Sequence, residues 1–153
     1  PNVSGEIVTR FDRGDLDYAT NLLVTTYPDG FDTEVASYGA LEHIWNIATL
    51  PSDREHVITY IRTNPEQFKV WNLSREPDLS HIRWTVDEPD DLEFVRAVFA
   101  NLPETEERYP SAEAILAMLR EHPEIAALHP DHERNEGWAT SIAAEEQSTE
   151  ESA

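Results

Sequence analysis

Acidic side chains cluster around residues 87–91, in the stretch HIRWTVDEPDDLEFVR. Glu88, Asp90 and Asp91 surround Pro89, which can begin a helix, and the helix dipole favours acids in the first turn. Asp87 lies just before that turn, where an open α/β sheet binds its ligands. Because Mg²⁺ binds one or two carboxylates together with phosphates and water, Asp87 is a candidate metal ligand. The alternative is that these acids only cap the helix.

Two further groups have side chains that suit substrate binding. Arg54 and His56 follow Ser52 in the first turn of a predicted helix, where arginine can clamp a carboxylate or phosphate and histidine can donate a hydrogen bond. Asp32 and Glu34 are two residues apart on a predicted strand, so they share a face and could bind sugar hydroxyls or share a proton. The alternative for both groups is ordinary solvated charge on a capped helix and on a strand.

A third group of polar residues offers imidazole rings. His122, His129 and His132 suggest a metal cluster, but their spacing matches no compact zinc motif, and Pro123 and Pro130 interrupt the backbone between them. The histidines therefore give no metal prediction.

The elements that must position these residues alternate between strands and helices. Strands are predicted at 17–21, 31–36, 68–73 and 81–86, because apolar and polar residues alternate there. Pro28, Asp29 and Gly30 have turn chemistry. Four residues are predicted to cap or begin helices: Ser37, Ser52 (with Glu55), Pro89 and Ser111. This alternation predicts the α/β class.

Helical spacing also predicts which side chains face the core. The predicted inward residues are Leu41, Ile44, Trp45 and Ala48; Val57, Tyr60 and Ile61; Leu92, Val95, Phe99 and Leu102; and Ile115, Leu116 and Leu119.

The composition limits the possible functions. The chain has 153 residues, with 31 acidic and 11 basic residues and a net charge of -20, so it lacks the basic face that nucleic-acid binding needs. It has no cysteine, which excludes disulfides and thiolate chemistry, and no apolar run of roughly 20 residues that would span a membrane. The acid excess with a single lysine, Lys69, favours a folded protein from a high-salt cytoplasm, where ions screen repulsion.

Several stretches, taken together, resemble one family. DYATN, TYPDGFDTEVAS, REHVITYI and DLSHIRWTVDEPDDLEFVR, followed by RNEGWATSI, occur in this order. In that order and spacing they resemble the spore coat polysaccharide biosynthesis protein F family, which is similar to the cytidylyltransferases that make CMP-activated acid sugars. The resemblance covers residues 8 to 142 approximately.

The resemblance implies both a fold and a reaction. The expected fold is a nucleotide-diphospho-sugar transferase-like three-layer α/β sandwich, Rossmann-like and GT-A-like. The expected reaction is Mg²⁺-dependent transfer of a nucleotidyl group from CTP to a sugar, with release of pyrophosphate, in a cytoplasmic enzyme of surface polysaccharide biosynthesis. In related cytidylyltransferases the aspartate that matches Asp87 binds the metal. Arg54 and His56 are the expected catalytic residues, and Asp32, Glu34 and Arg54 the expected substrate-binding residues.

The resemblance covers only part of such an enzyme. The family's first strand, its arginine- and glycine-rich triphosphate loop and its second metal-binding aspartate have no counterpart in this sequence, which begins with Pro1 rather than Met. We therefore expect 1–102 to be the C-terminal half of a nucleotidyltransferase domain, 103–142 a helical C-terminal arm and 143–153 a disordered acidic tail. The expected partners are nucleotide and sugar substrates and a second copy in a homodimer, and the chain alone is expected to be inactive.

Two other functions remain open at this point. The chain could be a non-catalytic dimerisation or interaction domain, in which Asp87 has no role beyond the helix start. It could also be a glycosyltransferase that uses a ready-made nucleotide sugar, because a fold of this class serves both reactions.

Overall fold

A computed structural model of the chain describes residues 2–50, 53–54, 58–103 and 109–129. The helices are α1 (Asn2–Phe11), α2 (Tyr38–Ile47), α3 (Thr59–Thr63), α4 (Pro89–Asn101), α5 (Ala112–Glu121) and α6 (Pro123–Ala126), with a 3₁₀ turn at Pro65–Gln67. The strands are β1 (Tyr18–Thr20), β2 (Glu34–Ala36) and β3 (Val70–Asn72).

The three strands form one small mixed sheet in the order β2-β1-β3. The central strand β1 runs antiparallel to β2 and parallel to β3. All three lie within predicted strands but are shorter than predicted. The predicted α/β class is confirmed, as a mixed α/β fold built on this three-stranded sheet.

Helices cover both faces of the sheet. Successive residues of β1 point to opposite sides, so its side chains contact different helices on the two faces. Tyr18 packs with Ile44 of α2 and Ile61 of α3 on one face. Ala19 packs with Ile7 of α1 on the other face. A separate apolar cluster joins the last three helices and comprises Phe94, Val98, Met118 and Ile125.

The helix starts that the sequence predicts are confirmed wherever the structure describes them. The Ser37 hydroxyl accepts a hydrogen bond from the backbone N–H of Ala40 at 3.1 Å, and the Ser111 hydroxyl accepts one from Ala114 at 3.2 Å. Pro89 is the first residue of α4. The predicted capping box of Ser52 and Glu55 lies outside the described residues.

The predicted inward faces of α2 and α4 are wrong in part. Phe99 and Trp45 are each 64% exposed, whereas Phe94 is 2% exposed. The buried stripe of α4 is set by the neighbours of Phe94 and Val98, which are α5 and α6. Ala40 and Ile44 of α2, together with Ala48 just after the helix, face the sheet, whereas the larger Trp45 does not. Leu92 of α4 also lies partly in solvent.

The predicted strand at 81–86 is wrong. This segment makes one isolated parallel bridge, between Asp29 and Arg83, and Val86 is exposed. Gly30 adopts a φ of 96°, in the left-handed region, so the chain leaves the extended path directly after the bridge and a ladder cannot continue. No helix in the described part of the chain has the length and apolar character needed to cross a membrane.

Candidate functional site

The start of α4 is organised by Asp91, whose side chain is only 1% exposed. Its Oδ2 atom accepts hydrogen bonds from the backbone N–H groups of Asp87 and Glu88, both at 2.9 Å. Its Oδ1 atom pairs with the Arg83 guanidinium. Both oxygens of this carboxylate are therefore engaged. Asp91 is the third residue of α4, and its side chain binds back to the backbone N–H of the N-cap residue Glu88, as in a capping box.

Arg83 connects the buried acid to an exposed one. Its Nη1 pairs with Asp91, and its Nη2 lies 3.0 Å from Oδ2 of Asp87. The Arg83 side chain is 11% exposed, whereas that of Asp87 is 69% exposed. Asp87 is thus the carboxylate of this cluster that faces solvent. We call Arg83, Asp87 and Asp91 the acidic cluster.

Electrostatics within the acidic cluster favour the ionised forms of Asp91 and Arg83. Burial alone would raise the pKa of Asp91, but hydrogen bonds from Arg83 and from the backbone of Asp87 and Glu88 together lower it to about 2. The hydrogen bond to Asp91 raises the pKa of Arg83, and the charges of Asp87 and Asp29 act in the same direction. One guanidinium therefore faces three carboxylates, which leaves the locality negative.

The turn at Pro28–Gly30 holds Arg83 in place from the other side. The backbone N–H of Asp29 donates to the carbonyl of Ile82, and the N–H of Trp84 donates to the carbonyl of Asp29, both at 2.8 Å. A Cβ atom at Gly30 would lie 2.5 Å from the Trp84 carbonyl oxygen. Only glycine fits this approach, so the turn predicted from Pro28, Asp29 and Gly30 positions the segment before Asp87.

The ring of His129 contacts the backbone of Arg83 and the side chain of Phe94. Its Nε2 lies 2.6 Å from the Arg83 carbonyl oxygen, and its ring packs edge-on against Phe94 with centroids 5.3 Å apart. His122 instead pairs with Glu124 at 3.0 Å, and His132 lies outside the described residues. Among the described residues no group of three or more histidines and acids is arranged to hold a metal ion.

The other predicted site residues lie in different surroundings. Arg54 stacks over Trp45, with 4.5 Å from Cζ to the ring centroid, in an open pocket of about 370 Å³ on the outer side of α2. Glu34, the first residue of β2, accepts a hydrogen bond from the Tyr18 hydroxyl. Asp32 is exposed and precedes the strand. His56 lies outside the described residues, so its predicted role stays a prediction.

Sequence reasoning missed the residues that organise the site. The alternation of residues 81–86 predicts only a polar strand position for Arg83, although its spacing of four residues from Asp87 permits an ion pair. Asn21 was also missed. It is buried, and its amide binds the carbonyl of Phe31 at 3.0 Å and the N–H of Thr33 at 2.9 Å. No short motif marks Asn21, because its partners lie beyond a turn.

Comparison of the structure with solved structures identifies its fold. The model superimposes on a cytidylyltransferase from Leptospira borgpetersenii serovar Hardjo-bovis with a TM-score of 0.74 and 24% sequence identity, over 88% of this chain. The chain shares the fold of that cytidylyltransferase. The match covers 55% of the Leptospira chain, so this chain spans about half of its length.

Comparison of the sequence adds one relative. The chain is 39% identical over 67 residues to an uncharacterised protein of Methanocaldococcus jannaschii, and this match covers 42% of the chain and 28% of that protein. The chain matches no protein-family model. The resemblance to the spore coat polysaccharide family therefore stays a prediction, whereas the cytidylyltransferase fold is established.

Proposed function

We propose that the chain is the C-terminal part of a sugar nucleotidyltransferase of the cytidylyltransferase kind, which acts in surface polysaccharide biosynthesis and transfers a nucleotidyl group from CTP to a sugar. The observation that carries this proposal is the fold match, with a TM-score of 0.74 over 88% of the chain. Because the chain spans 55% of the matched enzyme, the complete activity is assigned to a protein that contains this chain together with the rest of the fold.

Asp87 is the proposed Mg²⁺ ligand. Its carboxylate is exposed, and it lies in a locality where three carboxylates face one guanidinium. Mg²⁺ commonly takes one or two protein carboxylates, with substrate phosphates and water completing the shell, so one exposed aspartate fits this requirement. Asp91 does not fit, because both its oxygens already accept hydrogen bonds. When bound, the ion would neutralise charge on the leaving pyrophosphate.

The chain's own residues would position this ligand. Arg83 pairs with Asp87 and fixes the carboxylate above the start of α4. Asp91 in turn holds Arg83, and the turn at Gly30 holds the backbone on both sides of Arg83. A preorganised ligand loses little freedom when substrate binds, which is the physical advantage of this arrangement.

The test is pyrophosphate release from CTP in the longer protein, with and without a sugar acceptor. We expect Asp87→Asn to lower turnover by roughly 100-fold or more, as loss of an electrostatic contact in the transition state does. Glu93→Gln, which changes an exposed acid on α4, is the matched control. Unchanged turnover in Asp87→Asn would remove the metal role, and a wild-type protein that releases no pyrophosphate from CTP would remove the function.

A second candidate function, dimerisation or interaction, has one observation in its favour. The outer side of α2 exposes Tyr38 and Trp45, and Arg54 stacks on Trp45 there. We propose that a second copy covers this face. The pocket contains Arg54 together with Glu42 and Asp53, so this face carries both signs of charge around its aromatic side chains, as a self-complementary two-fold interface requires.

Sedimentation equilibrium tests this dimer. Trp45→Ala should weaken association by roughly 30-fold, as loss of an aromatic hot spot does. Phe99→Ala is the matched control, because Phe99 is equally exposed but lies on α4. A wild-type chain that stays monomeric, or equal weakening by both substitutions, would refute the α2 interface.

A further inference from the structure

One cavity among the described residues lies away from the acidic cluster. It has a volume of about 490 Å³ and opens between α1, the segment 26–31, the segment 74–77 and the start of α5. Pockets that bind small molecules usually have roughly 300–1,000 Å³. Arg83, Asp87 and Asp91 are not among the residues that line it. The cavity therefore needs a ligand assignment of its own.

Aromatic rings form part of the cavity wall. Tyr27, Phe31 and Tyr109 line it. Phe31 is held by Trp84, with ring centroids 5.7 Å apart, and the Arg75 guanidinium lies 5.7 Å from the centroid of Tyr27. Tyr109 is about half exposed and lines the cavity near the start of α5. Rings that are fixed in this way offer flat apolar faces to a ligand.

The polar part of the wall combines one guanidinium with several carboxylates. Arg75 pairs with Glu113 at 3.2 Å, and its backbone N–H donates to the Thr26 hydroxyl at 2.8 Å. Its Nε atom has no hydrogen-bond partner in the described part of the chain. Glu6 and Glu76 also line the cavity.

These charges select among ligand classes. Three carboxylates repel an anion such as phosphate, and Arg75 already occupies the cation site on the Tyr27 ring. A hydroxyl group suits both partners, because it donates to a carboxylate and accepts from a guanidinium. A ring that carries several hydroxyls also has an apolar C–H face for the aromatic side chains.

We propose that this cavity binds a neutral sugar ring. The binding goes beyond the proposed function, since it requires neither a nucleotide nor Asp87. The Glu113 and Glu6 carboxylates accept hydrogen bonds from ligand hydroxyls, Arg75 donates hydrogen bonds to ligand oxygens, and Tyr109 packs over the ring face.

The experiment is titration of the full chain with methyl α-D-glucopyranoside, methyl α-D-mannopyranoside, methyl β-D-galactopyranoside and N-acetylglucosamine, by calorimetry and ligand-observed NMR, with no nucleotide or metal. We expect saturable binding of at least one sugar. Glu113→Gln and Tyr109→Ala should each weaken it by about 5-fold or more, through loss of a charge-assisted hydrogen bond and of ring packing. Both substitutions are at exposed side chains, and circular dichroism checks that the variants fold.

Controls separate this cavity from the other sites. Glu93→Gln and Asp87→Asn should leave sugar binding unchanged. The proposal is overturned if none of the four sugars saturates the chain, if choline or inorganic phosphate binds at the cavity in place of the sugars, or if Asp87→Asn abolishes the binding. Sugar binding in a protein that releases no pyrophosphate from CTP would refute the proposed function and leave this proposal standing.

Discussion

α2 and α4 are both amphipathic helices, but they differ in the side chains that they bury. α2 buries Ala40 and Ile44 and leaves the large rings of Tyr38 and Trp45 in solvent. α4 buries the charged Asp91 in its first turn. The buried charge of α4 already has its partners, Arg83 and two backbone N–H groups, whereas the exposed rings of α2 would gain from a cover. Side-chain surroundings, rather than residue type, therefore mark the two candidate surfaces.

Salt should have the largest effect, because it acts on the charge of the whole chain. The net charge of -20 opposes the compact state at low ionic strength, and screening shortens to about 3 Å at 1 M salt. We expect cooperative folding in roughly 2 M KCl and loss of structure or aggregation well below it. Thermal melts followed by circular dichroism across KCl concentrations check this. A midpoint that stays flat or falls as KCl rises would refute the halophilic interpretation.

Phe94 and Phe99 form a matched pair that tests which face of α4 is buried. Phe94→Ala should lower the free energy of unfolding by about 3–5 kcal/mol, because it opens a cavity beside Met118 and Ile125. Phe99→Ala should change it by less than about 0.5 kcal/mol, because Phe99 is mostly exposed. Urea denaturation in high KCl measures both. The reverse order would mean that the face predicted from helical spacing was right.

Substitution of Asp91 tests how much its ion pair and hydrogen bonds stabilise the start of α4. Asp91→Ala should lower the free energy of unfolding by about 3 kcal/mol, because it removes the main partner of Arg83 and the acceptor of two backbone N–H groups. Arg83 keeps Asp87 as a partner, which limits the loss. The control Asp87→Ala breaks an exposed pair and should cost less than about 1 kcal/mol. Equal losses in the two variants would contradict the structure of the cluster.

The pKa of Asp91 predicts a smaller effect that depends on pH. The pKa falls from 3.8 to about 2 on folding, so the ionised carboxylate stabilises the fold fully above pH 4, approximately, and this contribution disappears as pH falls toward 2. We expect it to be about 2 kcal/mol. The measurement is the difference in unfolding free energy between wild type and Asp91→Asn at several pH values. A difference that does not shrink between about pH 5 and pH 2 would contradict the lowered pKa.

Local signals in the sequence predict the helix starts, whereas long-range packing decides which face of a helix is buried and which segments pair as strands. Ser37, Pro89 and Ser111 begin helices as predicted, because capping involves only the next few residues. The buried face of α4 was not predictable, because apolar residues at 92, 94, 95, 98 and 99 surround most of the helix and the position of α5 selects among them. The segment 81–86 alternates like a strand, but Gly30 in its partner ends the pairing.

Of the acidic cluster, the sequence marks Asp87 as a candidate ligand but does not show that Arg83 and Asp91 support it. Asp87 was singled out from its place before a helix, and the structure puts its carboxylate at the surface beside Arg83. Arg83 and Asp91 depend on each other for their burial, and no pattern of spacing reveals a mutual dependence of this kind. The resemblance to cytidylyltransferases, which is carried by several motifs in sequence order, agrees with the fold of the matched structure.

The Asp29–Arg83 bridge has a consequence for the order in which the chain folds. It joins positions about fifty residues apart, so a long loop must close before its two hydrogen bonds can form. Pairing of β1 with β3 spans a similar separation and brings these segments near each other. Because the sheet has several paired residues and the bridge only one, we expect the bridge and the charged groups that depend on it to assemble after the sheet. In hydrogen-exchange experiments the amide protons of Asp29 and Trp84 should open together as one unit, ahead of those in β1.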